Sequence, residues 1–222
     1  MPIAIAIDGP ASSGKGTVAR AVAHLLGYRY VDTGAMYRAV ALVARQHEVS
    51  WDDGPTLGKL AAGLRFDFAW DEDVLRVWVD GRDLTRDIRQ DGMSMGASSV
   101  SRHPEVRTAL LGLQQGLGAQ GGVVMDGRDI GTVVLPHAQL KVYLDASLDE
   151  RARRRHEEMV RRGEVVHYDD VRAAMEIRDR QDATRDVAPL RVADDAVVVD
   201  TSDLAVPAVV RRIRDLAAER GA

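Results

Sequence analysis

The stretch Gly9-Pro-Ala-Ser-Ser-Gly-Lys-Gly-Thr17 carries the residue types and spacing that can hold a polyphosphate. Glycine lets main-chain N–H groups turn toward a single oxyanion, and a helix starting behind the loop adds about half a positive charge. Lys15 can bridge the β- and γ-phosphates of a nucleotide. The residue after the lysine is Gly16, with Thr17 one place later. That order weakens direct hydroxyl ligation of Mg²⁺ and leaves the metal on phosphates and water. Three further segments set arginine beside carboxylate: Asp32-Thr-Gly-Ala-Met-Tyr-Arg38, Met125-Asp-Gly-Arg-Asp-Ile-Gly-Thr132 and Arg178-Asp-Arg-Gln-Asp-Ala-Thr-Arg185. Guanidinium forks match phosphate oxygens, and carboxylates accept from ribose hydroxyls or an exocyclic amine.

Such groups need a frame that brings them together. Ile3 to Ile7 is a short apolar run ending at Asp8-Gly9-Pro10, which reads as a buried parallel strand. From Thr17, the residues Val18, Ala21, Val22, Leu25 and Leu26 repeat at helical spacing until Gly27 stops them. Tyr28–Val31, Val123–Met125, Leu140–Leu144 and Ala196–Val199 read as further strands, and helical patterns at Val106–Leu117, Leu148–Val160 and Val209–Leu216 separate the later ones. The pattern predicts an α/β fold with about five parallel strands flanked by helices. Ligands in such sheets sit beyond the carboxyl ends of strands, where Asp32 and Asp126 stand. Asp126 either caps a turn or lies near a metal.

Leu64–Trp70 and Val74–Val79 break the rhythm with strict alternation, joined by Asp71-Glu72-Asp73, and predict a small antiparallel insert. Phe66, Phe68, Trp70 and Trp78 read as its core. Ser147-Leu-Asp-Glu150 is a capping box, and the helix behind it carries Arg151, Arg153, Arg154 and Arg155, either a solvated face or a basic flap.

Composition narrows the classes. The 222 residues, 45% hydrophobic and 29% charged, suit one packed domain with insertions and exclude a disordered chain. With 30 basic against 34 acidic residues, no general field draws nucleic acid, so any anion site is local. Only Lys15, Lys59 and Lys141 are lysine, which makes a lysine inside the glycine-rich loop conspicuous. The absence of cysteine excludes disulfides and thiolate chemistry, and the six histidines have no ligand spacing, so no protein metal site is expected. No apolar run reaches membrane length, and the expected location is the cytoplasm.

Taken in order, GPASSGKGT, DTGAMYRA, the β insert, VRTALLGLQ, MDGRDIGTVV, ASLDERARRR and RDRQDATRDVAPL make the chain resemble the bacterial cytidylate kinases over nearly its whole length. The resemblance implies a phosphate-loop kinase that moves the γ-phosphoryl group of ATP, with Mg²⁺, to CMP or dCMP in pyrimidine nucleotide metabolism. It implies a single kinase domain with a core at 1–33 and 93–222, a monophosphate-binding region at 34–92 and a helical lid at 151–168. By position, Gly9, Pro10, Ala11, Ser12, Ser13, Gly14, Lys15, Gly16 and Thr17, with Arg151 and Arg155 of the lid, would hold the donor. Arg38, Arg128 and Arg185 would clamp the acceptor phosphate, Arg178 and Asp182 the sugar, and Ser98, Arg107 and Asp129 the base, with Thr33 and Tyr37 in the same pocket segment. Lys15, Arg128, Arg185 and Arg154 would act on the transferred group. Ser12-Ser13 departs from the family's frequent glycine. A monomer with small-molecule partners, without nucleic acid or membrane, is the matching expectation. Two other readings stand beside it: a kinase for UMP, dTMP or shikimate, and a nucleotide-dependent switch. Against the switch, no Asn-Lys-x-Asp guanine-reading motif occurs.

Overall fold

In the computed structural model four strands of the main sheet stop at aspartate, Asp8, Asp32, Asp145 and Asp200, and the fifth runs one residue past Asp126 to Gly127. The structure describes residues 2–71, 74–90 and 92–222. In chain order these form β1 (Ala4–Asp8), α1 (Lys15–Leu26), β2 (Arg29–Asp32), α2 (Thr33–Gln46), α3 (Gly54–Gly63), β3 (Phe66–Asp71), β4 (Val74–Val79) and β5 (Arg82–Asp83). They continue with α4 (Met93–Val100), α5 (Pro104–Gly118), β6 (Val123–Gly127), β7 (Leu140–Asp145), α6 (Leu148–Arg161), α7 (Tyr168–Thr184), β8 (Val197–Asp200) and α8 (Val206–Ala218). A five-stranded sheet has the order β2-β6-β1-β7-β8, and a second, three-stranded sheet the order β3-β4-β5. The expected α/β class, with parallel strands and a small antiparallel insert, is what the molecule has.

The chain divides into two compact units, one of residues 1–29 with 120–222, the other of residues 30–119. In the first, β1 runs parallel between β6 and β7, with Asp8 opposite Gly127 on one side and Tyr143 on the other. Both β1 and β6 are buried along their whole length, which explains apolar runs without alternation. The helix α1 starts two residues before the apolar periodicity does, because Lys15 and Gly16 are helical without contributing to it. It stops at Gly27, whose left-handed φ of 65° ends the helix. Only half of the expected capping box forms. Ser147 Oγ accepts the Glu150 N–H at 3.2 Å, but the Ser147 N–H donates to Ser202 Oγ. The Glu150 carboxylate takes Arg153 and Arg154 instead, since two guanidiniums outcompete one amide.

In the second unit, Leu75, Val77 and Val79 of β4 turn inward with Ala35, Ala39, Leu42 and Val43 of α2, and Phe66 and Phe68 pack on that cluster. Phe66 pairs with Val79 and Phe68 with Val77, so all four share a face. Trp78 alternates to the opposite face and is half-buried, outside that cluster, which corrects its reading as core. Trp70 pairs through its backbone with Leu75; its side chain, with Glu72 and Asp73 of the predicted turn, lies outside the described residues.

Helices α3 and α5 meet at Gly58, where an added Cβ would stand 2.4 Å from Glu105 Cβ and 3.3 Å from its main chain. Gly58→Ala should therefore destabilise the fold by about 1–3 kcal/mol. The check is a lower Tm, and an unchanged Tm would mean the helices part freely.

Candidate active site

In the first unit, the loop between β1 and α1 is shaped by close approach. A Cβ on Gly9 would lie 2.1 Å from the Leu144 carbonyl oxygen, so glycine is required there. Ser12 sits at a φ of 59°, a left-handed conformation that is costly for a side-chain-bearing residue. Gly14 caps α1 at a φ of 87° and offers no side chain to the first N–H groups of the helix. Those amides have no intrahelical acceptor by geometry. The Ser13 hydroxyl is buried without a partner. An uncapped helix start and an orphaned hydroxyl beside Lys15 fit the phosphates of a nucleotide. Lys15 Nζ donates to the loop's own Pro10 carbonyl at 2.9 Å. Burial first, then the positive charge of Arg128, pushes its pKa down to about 7, against the pull of Asp126.

The arginines expected to flank this loop are tied down. Arg151 is buried, with Nη1 2.7 Å from Asp179 and donating to the Ala11 carbonyl at 3.3 Å. Arg154 donates through Nη1 to Thr201 Oγ1 at 3.1 Å and through Nη2 to the Thr201 carbonyl at 2.5 Å. Its Nη1 lies 3.8 Å from where a Cβ on Gly14 would be, which sets the guanidinium beside the phosphate loop. Arg155 pairs with Glu158, and Arg153 with Glu150 and Glu157 on the exposed face. Helix α6 also packs Ala152 with Ala11 of the loop and with Val171 and Met175 of α7.

Still in this unit, Arg128 Nε donates to Asp182 Oδ2 at 2.8 Å. Burial opposes the Asp182 charge, but Arg128, Arg178 and Arg185 outweigh it and hold the carboxyl below its usual range. Arg185 donates to the Ala188 carbonyl at 2.6 Å and reaches Asp129 Oδ1 at 3.4 Å. Asp126, buried at the end of β6, is one of the negative charges acting on Lys15. Lys15, Asp126, Arg128, Asp129, Arg178, Asp182 and Arg185 thus form one electrostatic cluster.

The second unit holds its own set. Asp32 caps α2 by accepting the Ala35 N–H at 3.0 Å, and takes Arg38 Nη2 at 2.6 Å. Burial works against that carboxylate, yet Arg38, the Ala35 amide and Arg89 hold its pKa below the ordinary value. Thr33 and Tyr37 are buried in α2. Arg107 stands 5.6 Å over the Tyr37 ring and donates to the Ser101 carbonyl at 3.3 Å. Ser98 lies on α4, half-buried.

Sequence reasoning passed over Asp8, Asp179 and Thr201. Asp8 accepts the Ile130 and Gly131 N–H groups, both at 2.8 Å. Thr201 Oγ1 sits within hydrogen-bond distance of both the Ser13 and Asp145 carbonyls, at 3.2 and 2.9 Å. The one signal for Asp8 and Thr201 is their place at a strand end or just past it. Among the described residues, no group of three or more His, Cys, Asp or Glu side chains forms a ready-made cation site, and no helix is long and apolar enough to cross a membrane.

The family model described as "Cytidylate kinase" matches residues 5–219. A protein of that name from Pelotomaculum thermopropionicum is 50% identical over 210 residues, covering 94% of this chain and 93% of its own. One from Exiguobacterium sp. is 46% identical over 215 residues, 97% and 96% of the two chains, and one from Bacillus subtilis 45% over 211 residues, 95% and 94%. Among solved structures, a shikimate kinase from Acinetobacter baumannii shares the fold at a TM-score of 0.50 and 16% identity, covering all of this chain and 96% of that one.

Proposed function

The chain belongs to the cytidylate kinase family, and from that membership we propose that it transfers the γ-phosphoryl group of ATP to CMP, and to dCMP, giving ADP and CDP or dCDP. The observation that carries the reading is the lone ammonium of Lys15 at an uncapped helix start, inside a cluster of arginines and carboxylates on the same unit.

In this reading Lys15 and the amides of residues 14–17 hold the β- and γ-phosphates. Arg38, Arg128 and Arg185 hold the acceptor phosphate, Arg178 and Asp182 the sugar, and Ser98, Arg107 and Asp129 the base, with Thr33 and Tyr37 beside them. An acceptor phosphate oxygen attacks the γ-phosphorus while the bond to the β-bridging oxygen breaks, and the pair leaves on ADP. No enzyme-bound intermediate is needed, so the protein's work is alignment and charge neutralisation. Mg²⁺, when bound, would add charge neutralisation on the donor phosphates, held mainly by those phosphates and water, with Thr17 the hydroxyl that follows Lys15-Gly16. Arg151, Arg154 and Arg155, in a lid at 151–168, neutralise the moving group and exclude water. A cytoplasmic monomer, with 34–92 as the monophosphate-binding region, completes the proposal.

The test is steady-state ADP formation from MgATP with CMP, dCMP, UMP and AMP in parallel. Cytosine nucleotides should give the highest kcat/KM. Equal rates with all four, or none with CMP, would refute the substrate.

A further inference from the structure

The turn Ile130–Val134, which directly follows Arg128 and Asp129, is a short π-helix whose N-cap residue is Asp129. An aspartate in that position ordinarily folds its side chain back onto the first amides of its own helix. Here it does not: the Asp129 side chain makes no capping bond, and its backbone, at φ −144° and ψ 26°, is neither helical nor extended. Of the amides it would serve, that of Gly131 is taken by Asp8, which arrives from the end of β1 and holds the Ile130 N–H as well. The Asp129 main chain stays bound into the turn through its carbonyl, which accepts the Val133 and Val134 N–H groups at 2.9 and 3.1 Å. Its carboxylate instead accepts from Arg185 Nη2 at 3.4 Å.

The approach of Asp8 is built in from below. Gly131 has no Cβ, and one placed there would stand 3.1 Å from Lys141 Cδ and 3.4 Å from Asp8 Oδ2. Lys141 is itself fixed, with Nζ donating to the Pro136 carbonyl and to Asp195. Asp8 also directly precedes Gly9, so one carboxylate joins the root of the phosphate loop to the turn that carries Arg128 and Asp129.

We propose that Asp8 is a positioning residue for acceptor recognition: by capping the 130–134 turn in place of Asp129, it keeps the Asp129 carboxylate available to the acceptor's base. The inference rests on the proposed CMP kinase activity for its kinetic readout. Asp8 must be ionised to accept both amides, because a protonated carboxyl has turned one oxygen into a donor. Burial raises its pKa to about 6, with the neighbouring Asp129 charge adding to that and Lys15 and the two amides opposing. Tyr143 on β7 faces it as well, and Asp126 lies beside its neighbour Ile7 on β6. Well above pH ~6 both amide bonds stand, and as the pH falls through about 6 one of the two is lost.

The experiment compares the full-length wild type with Asp8→Asn from pH ~5 to ~8, in kcat/KM for CMP and in equilibrium ATP binding. Asparagine offers one acceptor oxygen where two are needed, so KM for CMP should rise about tenfold at pH ~8, with ATP affinity within about twofold. The acceptor's own phosphate ionises near pH ~6, so the quantity read is the ratio of the two enzymes at each pH, in which that titration cancels. The ratio should fall toward one as the pH approaches ~5. A pH-independent ratio, or a lower Tm with unchanged KM, would overturn the proposal. If Asp8→Asn does not fold, the Ile130 and Gly131 amide proton resonances of the wild type answer instead. They should titrate together with a midpoint of about 6, and flat shifts would overturn the cap. A wild type that phosphorylates no CMP sinks the substrate assignment alone, since the amide titration does not depend on it.

Discussion

Lys15→Ala is expected to lower kcat with CMP by roughly 10²–10³, the loss typical of one preorganised donor to developing transition-state charge. Misfolding would not explain the loss. In the free protein the Lys15 ammonium is destabilised by burial and by Arg128 and Arg178, which is why its pKa sits at about 7. Removing it relieves that repulsion, so Tm should hold or rise. A linked measurement checks the cause. Above pH ~7 much of the free protein carries a neutral Lys15, and a polyphosphate favours the charged form. ATP binding at pH ~8 should therefore take up as much as about one proton, and the uptake should vanish well below the depressed pKa, where Lys15 is already charged. Calorimetry in buffers of different ionisation enthalpy reads the uptake directly. Normal turnover in Lys15→Ala, or proton uptake that persists without the lysine, would remove it from the reaction.

Asp129→Ala should cut the preference for CMP over UMP by about 10–100-fold, the worth of one buried acceptor matched to a base edge. Cytosine presents an N4 amine donor where uracil presents an oxygen, and a carboxylate accepts only from the former. Asp129→Asn discriminates further, because its amide can donate to the uracil oxygen and should raise kcat/KM for UMP. Both Asp129 and Arg185 are about 6% exposed, so the alanine variant also leaves Arg185 short of a partner and should lower activity with every acceptor. An unchanged ratio of CMP to UMP would assign base reading to Ser98 or Arg107 instead.

Much of this was legible in the chain because it rests on neighbours in sequence. The strand, glycine-rich loop and helix over residues 3–27 follow from a buried apolar run, two kinds of glycine geometry and a 3.6-residue period, all local properties. The antiparallel pairing of Phe66–Asp71 with Val74–Val79 was likewise written in alternation. Trp78 was misjudged because alternation fixes which residues share a face, and only packing decides which face is inward.

What the tertiary structure alone decided are partnerships across long stretches of chain. Asp8 meets amides 122 and 123 residues away, Arg128 meets Asp182, and Arg151 meets the loop at Ala11. A charged side chain buried in a fold must find a compensating group wherever the fold puts one. Sequence shows which residues need such partners, and the parallel crossovers of the sheet determine which ones they get.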